Sequence, residues 1–363
     1  MKVLHVEAGR HLYGGARQVA HILDGLAGRG VENLLACPTG SAIAKAAAHC
    51  ARVREMSMGG DGDMLLAVRL TRLIRATQPD LVHLHSRRGA DTWGGVAARI
   101  TGTPCVVSRR VDNPERPWVV AVKYRLFDHV ITISEGIRQV LLAEGLAPAK
   151  VSCVRSAVDA APYLASVDRD AFHAEFGLPG DALVVGMVAQ LIARKGHRYL
   201  LEALPPLLAE HPSLHVLLFG QGPLEGELRA AIAAPSLAGR VHLAGFRHDL
   251  PRWLGGLDLL VHPADMEGLG VSLLQAGAAA VPIIASRAGG LPEAVADGVT
   301  GLLIPPGDVT ALGAAMARLL GDRRLRQQMG AASRRRIERE FSVDAMVTGN
   351  LAIYEKVLEA RRR

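Results

Sequence analysis

Residues 257–295 read LDLLVHPADMEGLGVSLLQAGAAAVPIIASRAGGLPEAV. An apolar run of strand length, LDLLVHP, gives way to a loop that carries Glu267, Gly268 and Gly270. A small-residue helical stretch, VSLLQAGAAA, follows, and a second apolar run, VPIIAS, ends at Gly289 and Gly290. Strand, loop, helix and strand in this order form a crossover unit, which places its two strands parallel and buries both of their faces.

The same rhythm extends in both directions. KVLHVEAG is a short strand ending in a glycine loop, and GGARQVAHILDGLAGRG places Val19, Ile22, Leu23 and Leu26 at helical spacings of three and four. Strands at VENLLACP, LVHLHS, CVVSRR, HVITIS and KVSCVRSAVD alternate with helices at LLAVRLTRLIRATQPD, DTWGGVAARITG and EGIRQVLLAEG. The alternation weakens over residues 161–181, where polar residues, Pro162, Pro179 and two glycines bunch together, and then resumes. The predicted fold is α/β, with two doubly wound Rossmann-like domains facing a deep cleft. The expected domains are residues 1–163, completed by the amphipathic segment 341–363, and residues 164–340.

Composition bounds the function. The chain has 363 residues, 49% hydrophobic and only 4% aromatic, which excludes disorder and a fibrous repeat and calls for aliphatic cores. MKVLHVEAG is too short an apolar run for an export signal, and no uncharged apolar stretch is long enough to span a membrane. Cys37, Cys50, Cys105 and Cys153 lack metal-like spacing and are expected to be reduced thiols. The net charge of +7 lies wholly in residues 1–163, which hold 21 Lys+Arg against 14 Asp+Glu; the remainder holds 21 of each. A basic first domain suits an anionic partner, though an incidental solvated face produces the same count.

Glycine loops at strand ends can present backbone amides to an anion. Gly14 and Gly15, in LYGGA, stand before a helix but form neither a dinucleotide fingerprint nor a P-loop, so a phosphate contact and a plain turn both remain open. In the second half, the amides of Gly268, Leu269, Gly270 and Val271 can cradle a diphosphate, while Glu267 and Gln275 accept hydrogen bonds from sugar hydroxyls. The alternative is a carboxylate that only stabilises a helix start and a polar surface residue. Arg194 and Lys195, in AQLIARKGH, supply cations for a diphosphate, and Gly220, in FGQG, adds another turn after a strand. His83 and His85 share one strand face, but no third metal ligand lies near in sequence, so no metal is expected. His262 reads equally as structural or functional.

Together these segments resemble the retaining, nucleotide-sugar-dependent glycosyltransferases of family 4, which have the two-domain GT-B fold. The resemblance covers almost the whole chain and rests on AQLIARKGH, FGQGPLEGEL, VHLAGFRHDLP, DLLVHPADMEGLGVSLLQA, VPIIASRAGGLPEAVADGVTGLLIPPGD and LYGGA. It implies that the C-terminal half binds a UDP-, GDP- or ADP-sugar as co-substrate, without a cofactor, and that the N-terminal half binds the acceptor. Glu267 then matches the first acid of the paired-glutamate motif, Lys195 the lysine that neutralises the diphosphate, and Gly15 the loop facing the donor phosphate. Glu293 resembles an acid near the nucleotide pocket. The chain departs from the pattern where Gln275 replaces the second glutamate, Gln190 an arginine, Arg110 a histidine contacting the reacting sugar, and RSAVD the PNGVD turn.

The implied reaction moves a glycosyl group to an acceptor hydroxyl with retention of configuration. Negative charge builds on the departing phosphate, where Lys195, Arg194 and the helix start after Glu267 can stabilise it. His85, Arg87, Arg88, Arg109 and Arg110 cluster at neighbouring strand ends and fit an anionic or lipid-linked glycan acceptor. The resemblance leans towards cell-surface polysaccharide, lipopolysaccharide or lipid-linked glycan synthesis, in the cytoplasm or peripherally on the inner face of the membrane. Two rivals share parts of this pattern: a sugar-nucleotide 2-epimerase, and a non-enzymatic basic protein binding membrane or nucleic acid. Against nucleic acid, the basic loops lack interleaved aromatic residues.

Overall fold

The computed structural model describes residues 1–85 and 89–362. The described chain divides into two compact units, residues 1–157 with 343–363, and residues 158–342. The sequence-based boundaries at 163/164 and 340/341 thus differ from these units by two to six residues.

In the first unit the strands are β1 (Lys2–Val6), β2 (Glu32–Pro38), β3 (Arg52–Met56), β4 (Leu81–Leu84), β5 (Cys105–Arg109), β6 (His129–Thr132) and β7 (Val151–Cys153). They form one parallel sheet in the order β3-β2-β1-β4-β5-β6-β7. Alternate residues face opposite layers. Leu4, Val82, Val107 and Val130 pack beneath the helices Leu65–Thr77 and Ala90–Thr101. Val3, Leu81, Val106 and Ile131 face the helices Gly14–Ala27 and Val343–Arg362. The terminal helix thereby completes this core with Met346, Val347, Ile353, Tyr354 and Val357. Gly25 lets the two helices approach, since a Cβ there would lie 2.6 Å from a Val347 methyl.

Strand β3 has no counterpart in the sequence reading. Its residues, RVREM, are exposed or half-buried, and it lies at the edge of the sheet. Three charges in five residues suit an edge that must resist pairing with another chain, and they erase the apolar signal of a central strand.

The second unit contains β8 (Leu183–Val188), β9 (Leu214–Phe219), β10 (Val241–Gly245), β11 (Leu259–His262), β12 (Ile283–Ser286) and β13 (Gly301–Ile304). Their order, β10-β9-β8-β11-β12-β13, is again wholly parallel. In each sheet the order reverses direction once, between β1 and β4 and between β8 and β11. Crossovers leave such a pair towards opposite faces, so their carboxyl ends flank a crevice.

Candidate active site

At the switch point of the second sheet, the loops after β8 and β11 are tied together. Gly196 has φ of 76°, and a Cβ there would meet the Pro263 carbonyl oxygen at 2.0 Å, so only glycine fits. Asp265 donates its N–H to the Arg194 carbonyl at 2.9 Å, and the Tyr199 hydroxyl donates to Asp265 Oδ1 at 2.9 Å. Gly220, after β9, has φ of 141° and lies so close to the Ala189 carbonyl that a Cβ would reach 1.9 Å. These contacts place Gln190, exposed, and Arg194, half-buried, beside the turn that carries Lys195.

Lys195 is 7% exposed, and its Nζ donates to Glu267 Oε2. His262 Nε2 meets the same oxygen at 3.1 Å, while the Gly268 N–H donates to Oε1 at 3.1 Å. Burial opposes ionisation of Glu267, but the hydrogen bond from His262 and the charge of the Lys195 ammonium outweigh it. They hold the carboxyl well below the usual carboxylate range. His197 is buried beside this group; burial first, then His262 and Lys195, lower its pKa to about 4, so it is neutral at pH 7.

The backbone around Glu267 extends the site. Its carbonyl accepts from the Gly290 N–H at 3.0 Å, which draws the loop of Gly289 and Gly290 towards it. Gly270, at φ of 81°, precedes the helix Val271–Ala278, whose first turn has neither a side-chain cap nor an acid. Such a start is suited to an anion. Leu269 is buried, so only its backbone can line a site, and the Gly268 N–H is already used by Glu267. Gln275 is half-buried one turn inside the helix. Glu293 is half-buried in the short helix Leu291–Ala294, and its carbonyl accepts from Arg336 at 2.7 Å.

In the first unit, Gly14 and Gly15 open the helix Gly14–Ala27, which also lacks a side-chain cap and an acid in its first turn. A Cβ on Gly15 would stand 3.8 Å from Arg110 Cδ, so the Arg110 chain lies beside the helix start. Arg110 donates from Nε to the His85 carbonyl at 3.3 Å, and its Nη2 lies 3.4 Å from His85 Nδ1. Burial lowers the Arg110 pKa, while Glu7 and Tyr354 oppose the shift.

The third histidine absent from the local sequence comes from the neighbouring strand. His5 is paired in register with His83, and its Nδ1 lies 2.9 Å from His85 Nε2. His5, His83 and His85 bring ring nitrogens within 4.8 Å of one another, a spacing compatible with a metal. However, both His83 nitrogens already have partners, the Tyr354 hydroxyl at 2.6 Å and Ser108 Oγ at 2.8 Å. The arrangement is a buried hydrogen-bond relay between the sheet and the terminal helix.

Arg109 requires a correction. It is 4% exposed, pairs with Glu115 at 2.9 Å and donates to the carbonyls of Val111 and Asn113. Its guanidinium builds the loop after β5 and is not presented to an acceptor. The strand alternation that points Arg109 inward was visible in CVVSRR, but the receiving acid, six residues away, was not. Arg87 and Arg88 lie outside the described residues. All four cysteines are free thiols.

Comparison with known proteins gives this geometry a family. Residues 13–161 match Glycosyltransferase Family 4, and residues 168–336 match Glycosyl transferases group 1. The chain is 32% identical over 340 residues to 2-deoxystreptamine glucosyltransferase of Streptomyces kanamyceticus, covering 86% of this chain and 87% of that relative. It is 25% identical over 356 residues to the lipopolysaccharide core biosynthesis glycosyltransferase LpsE of Rhizobium meliloti, covering 97% and 98% of the two chains. Among solved structures, Anabaena HepE in complex with UDP superimposes with a TM-score of 0.86 at 20% identity, covering 98% of this chain and all of that one (100%).

Two parallel, helix-flanked sheets and these matches define a nucleotide-sugar-dependent glycosyltransferase of the GT-B fold. More narrowly, the chain belongs to the family of retaining enzymes described by the family 4 and group 1 matches. The epimerase and non-enzymatic readings give way to this assignment.

Proposed function

We propose that the second unit holds the donor and that Glu267 orients its sugar. The observation that carries this reading is the convergence of Lys195, His262 and the Gly268 amide on one carboxylate at the β8/β11 switch point. Ionised Glu267 accepts from sugar hydroxyls, with Gln275 as a neutral second partner. Lys195, Arg194 and the uncapped start of Val271–Ala278 face the diphosphate. As the glycosidic bond to phosphate lengthens, charge grows on the departing oxygen, and these fixed positive groups lower the barrier there. The leaving phosphate can then take the acceptor proton on the same face, which agrees with retention and needs no protein base. Gly220, Gln190 and Glu293 border the same site in this reading.

The first unit takes the acceptor, with Arg110 offering a cationic donor to an anionic or lipid-linked glycan; His85, buried with both ring nitrogens engaged, supports Arg110 rather than the acceptor, and Gly14 and Gly15 are assigned to the donor phosphate. Arg110 cannot act as a base at neutral pH. The activity named for LpsE supports a role in lipopolysaccharide or another surface glycan. A calorimetric screen of nucleoside diphosphates and their sugars tests the donor reading, starting with uridine nucleotides because HepE was solved with UDP. Absence of binding to every nucleotide would remove it.

Peripheral attachment to the acidic inner face of a membrane belongs to the same proposal. The first unit holds 25 Lys+Arg against 16 Asp+Glu, whereas the second holds 17 against 19. Eight of the eleven strongly exposed large apolar residues among those described lie in the first unit, including Met64, Leu65, Trp118 and Val122. No described helix is long and apolar enough to cross a membrane. Flotation should show binding to anionic liposomes that weakens with salt; equal binding to neutral liposomes contradicts the proposal.

A further inference from the structure

The Glu267 carboxylate has an uneven set of partners. Among the described residues, Oε2 receives both Lys195 and His262, whereas Oε1 receives only the adjacent Gly268 N–H. The two side chains on Oε2 differ in mobility. Lys195 reaches it from a short 3-10 turn through a flexible stem. His262 is the last residue of β11, is paired in register with Ala285 of β12, is followed by Pro263 and is 1% exposed. Its ring is therefore fixed by the sheet.

The proton on this ring can be placed by elimination. An ionised carboxylate only accepts, so Nε2 must carry the hydrogen that it shares with Glu267. The other nitrogen, Nδ1, is buried and has no hydrogen-bond partner among the described residues. Each such orphan needs a reason. Here, the ring has one polar contact among the described residues, and that contact is to Glu267.

We propose that His262 is a positioning residue that holds Glu267 while Lys195 exchanges partners. In the absence of donor, Lys195 rests on Glu267. When a diphosphate arrives, the Lys195 ammonium turns towards it, and Oε2 becomes available to a sugar hydroxyl. His262 then keeps the carboxylate ionised and prevents rotation about its terminal bond. This inference rests on the donor-site reading above and adds to it a residue that does not touch donor.

His262→Leu and His262→Gln separate this role from packing. Leu fills the space without a donor, whereas the Gln Nε2–H has nearly the reach of the imidazole. Donor hydrolysis and nucleoside diphosphate binding are measured for each. His262→Leu should lose about 10- to 100-fold in kcat, with nucleoside diphosphate affinity within about threefold of wild type, and His262→Gln should restore most of the turnover. The inference is overturned if His262→Leu keeps wild-type kcat, or if His262→Gln is as impaired as Leu. Should His262→Leu not fold, His262→Asn replaces it, because its shorter amide cannot reach Glu267; equal turnover of Asn and Gln variants overturns the role. A wild-type protein that binds no nucleoside diphosphate removes the donor-site reading itself, a distinct outcome.

Discussion

Replacing Glu267 by Gln tests whether Lys195 is restrained by the site it serves. The substitution keeps the shape and leaves an amide oxygen to accept from Lys195 or His262, but removes one negative charge. Unit charges about 4 Å apart attract by about 4 kcal/mol at an effective dielectric of 20. Desolvation and the remaining hydrogen bonds offset much of this, leaving about 1–2 kcal/mol that an incoming diphosphate must overcome. Glu267→Gln should therefore bind a nucleoside diphosphate roughly tenfold more tightly, as read by calorimetry. Its turnover should move the other way, falling about 100- to 1,000-fold because the sugar loses its ionised acceptor. Tighter diphosphate binding with slower turnover distinguishes restraint from general damage to the site. Equal or weaker diphosphate binding by a folded Glu267→Gln variant would refute the reasoning.

Three further outcomes follow from particular contacts. Gly196→Ala should disrupt donor binding severely, because its Cβ meets the Pro263 carbonyl at 2.0 Å; Gly239→Ala, with φ of 72° and open space around its Cβ, should cost only about 1 kcal/mol of backbone strain and leave binding unchanged. Nucleoside diphosphate titration of the two variants checks the contrast. Arg109→Met removes one partner of half-buried Glu115, which keeps Lys123 at 3.3 Å and the Tyr124 hydroxyl at 3.0 Å, and should cost about 2 kcal/mol in denaturant unfolding, while Arg110→Met should reduce acceptor-dependent turnover with a smaller stability loss; the reverse pattern would return Arg109 to the acceptor site. Burial lowers the pKa of His5 to about 3 and of His197 to about 4. The unfolded chain gains these protons near pH 6.5, so stability should fall between pH 6.5 and 4 by about 1.4 kcal/mol per pH unit for each histidine. A melting temperature that stays constant from pH 7 to 5 contradicts this.

Much of the proposed donor site was legible because its parts are local. Gly268 and Gly270 flank the end of one strand and the start of the next helix, and Lys195 follows another strand by a short turn. The partners that give these residues their state were not legible. Lys195 and Glu267 stand 72 residues apart, and nothing in either segment announces that one will rest on the other. His262 lies close to Glu267 in sequence, yet a histidine ending an apolar strand looks the same whether its ring faces core or site. Likewise, His83 and His85 showed a shared face, while His5 and Tyr354 reached them from a neighbouring strand and from the terminal helix.

The sequence by itself determined two parallel α/β sheets and the glycine loops at their strand ends, because periodicity and φ requirements are properties of neighbouring residues. Tertiary structure decided which charges meet: it sent Arg109 into an internal ion pair and placed Lys195 and His262 on the same carboxylate oxygen. The physical reason is that charge pairing depends on distance through space, and strand order brings residues together without leaving a repeating pattern along the chain.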